Sequence, residues 1–180
     1  MSSFFYKFMF YSFVVLLPVY GLGMAYAQGG EKQRSQDVVE VQRMSMDIAS
    51  EIAREAVKTC RGIGYQITAV VADRNGHPQV SMRDVYAPEV SYRIAKKKAF
   101  TAASFSSDTS AVMENRKGLG DTLNHVDGLL FLPGGLVIET GSSKIIGAVG
   151  VSGAPSGDID RKCAQAGIDA VSERLQFAGM

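Results

Sequence analysis

The chain has 180 residues, 46% of them hydrophobic and 21% charged, with a formal net charge of +1. That length suits one domain with a real core, and charge of both signs spread along the chain argues against a general nucleic-acid binder or a basic membrane-surface protein. Its two cysteines, Cys60 and Cys163, are too few for a disulfide framework and lack the His and Cys neighbours of a zinc site.

Residues 1–27 carry one charge, Lys7, then an apolar run from Phe8 to Tyr20 and the small-residue pattern Ala25-Tyr26-Ala27. This is the layout of a secretory signal peptide cleaved near Ala27, and the run, broken by Ser12 and Pro18, falls short of the ~20 apolar residues of a spanning helix. The mature protein is therefore expected to be soluble and periplasmic or secreted. Residues 28–40 are expected to form a flexible terminus, which need not be ordered, and 41–180 a single domain. Export leaves a Cys60–Cys163 disulfide open, but the preferred reading keeps Cys163 as a small, unpaired, buried helix residue. Asp37-x-x-Glu40 offers oxygen ligands that suit iron; ordinary solvation is the preferred reading, and no metal site is assigned.

From about Val41 the residues Val41, Met44, Ile48, Ile52 and Ala56 recur at spacings of three and four, predicting an amphipathic helix stopped by Gly62 and Gly64. "YQITAVVAD" and "PQVSMRD" flank the Asn75-Gly76 turn dipeptide, which predicts a β-hairpin. Pro88 and Glu89 open a second long helix, with Tyr92, Ala95, Ala99 and Ala102 on one face and Lys96, Lys97 and Lys98 on the other. Residues 106–124 read as a short helix plus loop. "GLLFLPGGLVIET" and "KIIGAVGVS", joined by "GSS", form a second hairpin, with a further short strand near Leu129 to Leu132. A terminal helix carries Ile159, Cys163, Ala166, Ala170 and Val171. The sum is an α/β (α+β) domain, an antiparallel sheet of about five strands packed by helices.

"GAVGVSGAPSGDID", residues 147–160, puts glycines at a strand-to-helix junction, where phosphate is often cradled. Here Ser156, Asp158 and Asp160 cap and charge the helix start, which repels an anion. The glycines then serve close backbone packing. His77 and His125 are the only imidazoles. His77 falls in the hairpin turn and reads as solvated, so His125 is the better ligand candidate. Asp73, Arg83 and Asp84 end the two strands of the first hairpin and form a candidate pocket for a carboxylate, with a cross-strand ion pair as the plainer reading. No specific catalytic constellation stands out, and whether the protein is an enzyme is left open.

"VVADRNGHPQVSMRDVYAPEVSYRIAKKKAFTAASF" followed by "LPGGLVIETGSSKIIGAVGVSGAPSGDIDRKCAQAGIDA" resembles the GlcG/HbpS family of haem-degrading and haem-binding domains, over about residues 40–175. The resemblance implies a profilin-like layout and a closed homo-oligomer, often an octamer, with haem binding in part of the family. Many members carry an arginine, methionine and aspartate-glycine run where this chain has "SMRDVYAP". Haem needs an apolar slot, an axial ligand and cations for its propionates. Under this reading His125 and Thr101 are the ligand candidates and Lys98, within Lys96–Lys98, the propionate partner. The alternative is a hydroxy-acid or other carboxylate enzyme or metabolite-binding protein using Asp73, Arg83 and Asp84. A symmetric homo-oligomer larger than a dimer is expected, its ligand pocket between subunits.

Overall fold

The computed structural model describes residues 37–178 apart from 117, 119 and 124. Residues Glu40–Met180 cluster as one compact unit; the preceding unit, Met1–Val39, lies almost wholly outside the described residues, and with it the signal-peptide reading. The order is α1 (Met46–Gly62), β1 (Thr68–Asp73), β2 (Pro78–Arg83), α2 (Glu89–Phe105), α3 (Thr109–Asn115), α4 (Gly120–Leu123), β3 (Gly135–Glu139), β4 (Ile145–Ser152), α5 (Gly157–Asp169) and α6 (Ser172–Phe177). The four strands form one antiparallel sheet in the order β2-β1-β4-β3.

Both faces of this sheet are covered, which is why its central strands read as unbroken apolar runs rather than as alternations. Alternate side chains of β1 go opposite ways. Ala69 and Val71 join a large core with Ile52, Ala53, Ala56, Val149, Val151 and Cys163 from α1, β4 and α5, each fully buried isoleucine or valine contributing about 1.5–3 kcal/mol. Val70 and Ala72 instead meet Ala95 and Ala99 of α2. On that side the seal depends on small residues. A Cβ at Gly150 would run into the carbonyl of Ala95 and the amide of Ala99, so glycine is what lets α2 lie on β4.

Four expectations need correction. The first helix starts at Met46 rather than near Val41, because the Ser45 hydroxyl accepts from the Ile48 amide at 3.3 Å and fixes the N-cap there; Val41 precedes the helix and is exposed. No strand forms at 129–132, so the described sheet has four strands rather than about five. There the Leu130 amide is taken by the Thr101 hydroxyl instead of a neighbouring strand. Cys163 is not free: it is bonded to Cys60, with Cα atoms 5.6 Å apart, and joins α5 to α1 across 103 residues of chain. Lys98 does not share the solvated face of Lys96 and Lys97. It is 2% exposed.

Lys98 Nζ donates to Asp160 Oδ2 at 2.7 Å and to the Val151 carbonyl at 2.9 Å, and Asp160 Oδ1 accepts from the Ala154 amide at 3.1 Å. Asp160, foreseen as a first-turn residue of the last helix, therefore clamps α5 and the end of β4 to α2. Burial pushes the Lys98 ammonium below its usual range and the Asp160 carboxyl above its own, while each charge pulls the other back. Satisfied hydrogen bonds on both ions are what make such a buried pair tolerable. Ser156 caps α5 through the Ile159 amide as its sequence predicts.

Candidate functional site

The hairpin turn between β1 and β2 and the outer face of α2 enclose a cavity of about 460 Å³, within the range of ordinary ligand pockets. Residues Tyr92, Arg93, Lys96, Lys97 and Phe100 reach it from α2. Their spacing is that of two adjacent rows on a helix, 92-96-100 and 93-97. Gly76, His77 and Pro78 close it from the turn and Gly128 from the loop before β3. At Gly76, φ is +82° and a Cβ would stand 2.6 Å from Phe100 Cδ2. Glycine thus supplies the turn's backbone and leaves room for the ring.

The walls combine aromatic and apolar surface with three cations, and none of the lining residues is acidic. Arg93, Lys96 and Lys97 are exposed, and among the described residues no carboxylate pairs with them. His77 brings the one imidazole of the site. Its turn is fixed by Asp73, whose Oδ1 accepts from the amides of Asn75 and His77, both at 2.9 Å. Oδ2 of the same carboxylate lies 3.7 Å from His77 Nδ1.

The residues singled out from the sequence are placed elsewhere or serve other partners. Thr101 is fully buried; its hydroxyl donates to the Lys97 carbonyl at 2.8 Å and accepts from the Leu130 amide at 2.8 Å. Lys98 is spent on Asp160. His125 is exposed and does not line the cavity. The carboxylate trio does not converge, because Asp73 and Arg83 sit at opposite ends of the β1–β2 hairpin. Asp84 is instead gripped by Arg61 through Nε at 2.9 Å and Nη2 at 2.8 Å, and that hydrogen bonding holds its carboxyl below the usual range. Arg83 Nη1 donates to the Ala87 carbonyl at 2.7 Å.

Sequence reasoning set His77 aside as a solvated turn residue and missed Tyr92, Arg93 and Phe100 as lining residues of this cavity. The signal available was the double row on α2, whose cations and aromatics recur with helical spacing, facing a turn that carries an imidazole. Among the described residues no group of three or more His, Cys, Asp or Glu side chains is placed to hold a metal ion.

A family model described as haem degrading protein HbpS-like matches residues 44–169. HbpS from Streptomyces reticuli, solved as a double mutant, is 34% identical, with 77% of this chain and 93% of that one covered at a TM-score of 0.71. ORFY from Klebsiella pneumoniae is 27% identical, covering 75% and 94% at 0.69. PduOC, solved in complex with haem, is 26% identical, covering 72% and 95% at 0.66. No curated protein matches the chain.

Proposed function

The chain belongs to the HbpS-like family of haem-degrading proteins, and from that premise we propose that it is an exported haem-binding protein whose ligand enters the cavity between α2 and the β1–β2 turn. The observation that carries this reading is the composition of the cavity, which is lined by the aromatic rings of Tyr92 and Phe100, the cations Arg93, Lys96 and Lys97, and the imidazole of His77. Haem asks for these things: a flat apolar surface, cations for two propionates and a nitrogen for iron. That PduOC has been solved with haem supports the assignment of ligand class.

In this reading Phe100 and Tyr92 receive the macrocycle, the three cations receive the propionates and His77 is the iron ligand. Asp73 faces Nδ1 of that ring, which leaves Nε2 for the metal, as carboxylates behind metal-bound histidines generally do. Bound haem would supply redox and ligand-exchange chemistry at iron. Haemin titration tests the assignment. A Soret shift at micromolar protein is expected, retained in His125→Ala and lost or moved in His77→Ala; no shift at all removes haem binding, and an unchanged spectrum in His77→Ala removes the ligand.

Export is part of the proposal. The Cys60–Cys163 bond supports it, because such bonds persist in oxidising compartments, and no helix among the described residues is long and apolar enough to cross a membrane. The expected mature terminus follows Ala27, which mass spectrometry of the exported protein checks. A homo-oligomer larger than a dimer belongs to the same reading, supported by Val85 and Tyr86, 75% and 81% exposed beside edge strand β2. Light scattering at ~10 μM, where association of about −8 kcal/mol is visible, decides it.

A further inference from the structure

We propose a second ligand site, on the α1 side of the protein, that takes a short-chain organic dicarboxylate. The observation is a cavity of about 260 Å³ where α1 meets the end of β2. Arg54, Lys58 and Arg61 stand along one stripe of α1 at spacings of four and three, and Arg83 approaches from β2. Against these four cations the cavity holds one carboxylate, Asp84.

The charges are unevenly spent. Arg61 neutralises Asp84 with two hydrogen bonds, and Lys58 Nζ lies 2.6 Å from Glu55 Oε1. Arg83 uses a single N–H on the Ala87 carbonyl, which leaves most of its fork open. Arg54 is exposed, and among the described residues no carboxylate pairs with it. Two guanidiniums therefore remain uncompensated, one from each wall. Val57 and Met82 line the same cavity and add apolar surface to it.

A guanidinium fork matches a carboxylate in two parallel hydrogen bonds. Two such forks lining one cavity with apolar side chains match a molecule that carries two carboxylates on a short methylene chain. A monocarboxylate leaves one fork unanswered, and inorganic phosphate offers nothing to Met82 and Val57. The site shares no lining residue with the cavity on α2, so the proposal does not depend on haem.

Calorimetric titration of the mature protein with glutarate, at fixed ionic strength to hold screening constant, tests it. Saturable binding is expected, with butyrate and inorganic phosphate each weaker by at least about tenfold, or ~1.4 kcal/mol. Arg54→Gln, at an exposed position, should lose about tenfold in glutarate affinity while its thermal midpoint and its haemin titration stay as in the parent. Equal affinity for butyrate or phosphate, an undiminished Arg54→Gln, or no heat with glutarate at millimolar concentration would each overturn the site.

Discussion

The two faces of the β-sheet are held by different physics. Toward α1 and α5 the contact is bulk: a continuous aliphatic core and a disulfide across 103 residues. Toward α2 the buried residues are small, Val70, Ala72, Ala95 and Ala99, and the helix is positioned by close backbone approach at Gly150 and by polar clamps. Lys98 grips Asp160, Thr68 and Ser91 share a hydroxyl hydrogen bond of 2.7 Å, and Thr101 takes the Leu130 amide. A side chain that is buried for volume tolerates a shift. One that is buried to meet a specific partner does not. The helix that presents Arg93, Lys96, Lys97 and Phe100 to the candidate haem pocket is thus the one whose position is specified by polar contacts, and this is where small geometric errors cost function.

The largest effect is expected from leaving one ion of the buried clamp alone. Lys98→Met leaves the buried Asp160 carboxylate without its cation and should cost about 3–5 kcal/mol, whereas Lys98→Met with Asp160→Leu should recover most of that loss, because no charge is then unpaired. Urea denaturation of the single and double variants distinguishes a clamp from a bystander. If the single variant is as stable as the parent, the α2 face is held by something else.

Next comes the bulk face. Replacing both Cys60 and Cys163 by alanine should cost about 2–4 kcal/mol by relaxing the unfolded chain, yet leave haemin affinity unchanged, since the bond ties α1 to α5 and does not touch α2. Gly150→Ala gives the reverse pattern. Its methyl would run into the backbone of Ala95 and Ala99, so a loss of about 1–3 kcal/mol or more should come with weakened haemin binding as α2 is displaced. Equal effects of the two changes on haemin binding would erase the contrast between the faces.

The smallest effect concerns pH. Arg61 holds the folded-state carboxyl of Asp84 below its usual range, so the folded protein binds fewer protons at this group than the unfolded chain does. Its contribution to stability is complete above the ordinary carboxylate value of about 3.9 and disappears as pH falls through the lower folded value. Asp84→Asn should therefore flatten the acid limb of the stability profile below about pH 4, seen as a shallower fall of the thermal midpoint.

Much of this architecture is legible in the chain. The Asn75-Gly76 dipeptide between β-rich runs marks the first hairpin, and Ser156 with Asp158 marks the start of α5, because both signals are local. Lys98 is not legible in the same way. Three consecutive helical residues point about 100° apart, so one of three lysines has to turn from the shared face, but which one does depends on Asp160, far along the chain. The Cys60–Cys163 pairing is hidden for the same reason, since only the packing of α5 on α1 brings the sulfurs together. The apolar run at 129–132 resembles a strand by composition, and tertiary contact with Thr101 overrides it. His125 is preferred as a ligand from the sequence because His77 lies in a turn, though that turn lines the cavity.

Hydrogen–deuterium exchange of the mature protein with and without haemin tests the central claim most directly. Binding between α2 and the hairpin turn predicts slowed exchange in peptides covering 74–79 and 89–101, with the α1 face unchanged. Protection centred on 120–130, or on α1 and α5 with none at the turn, would contradict it.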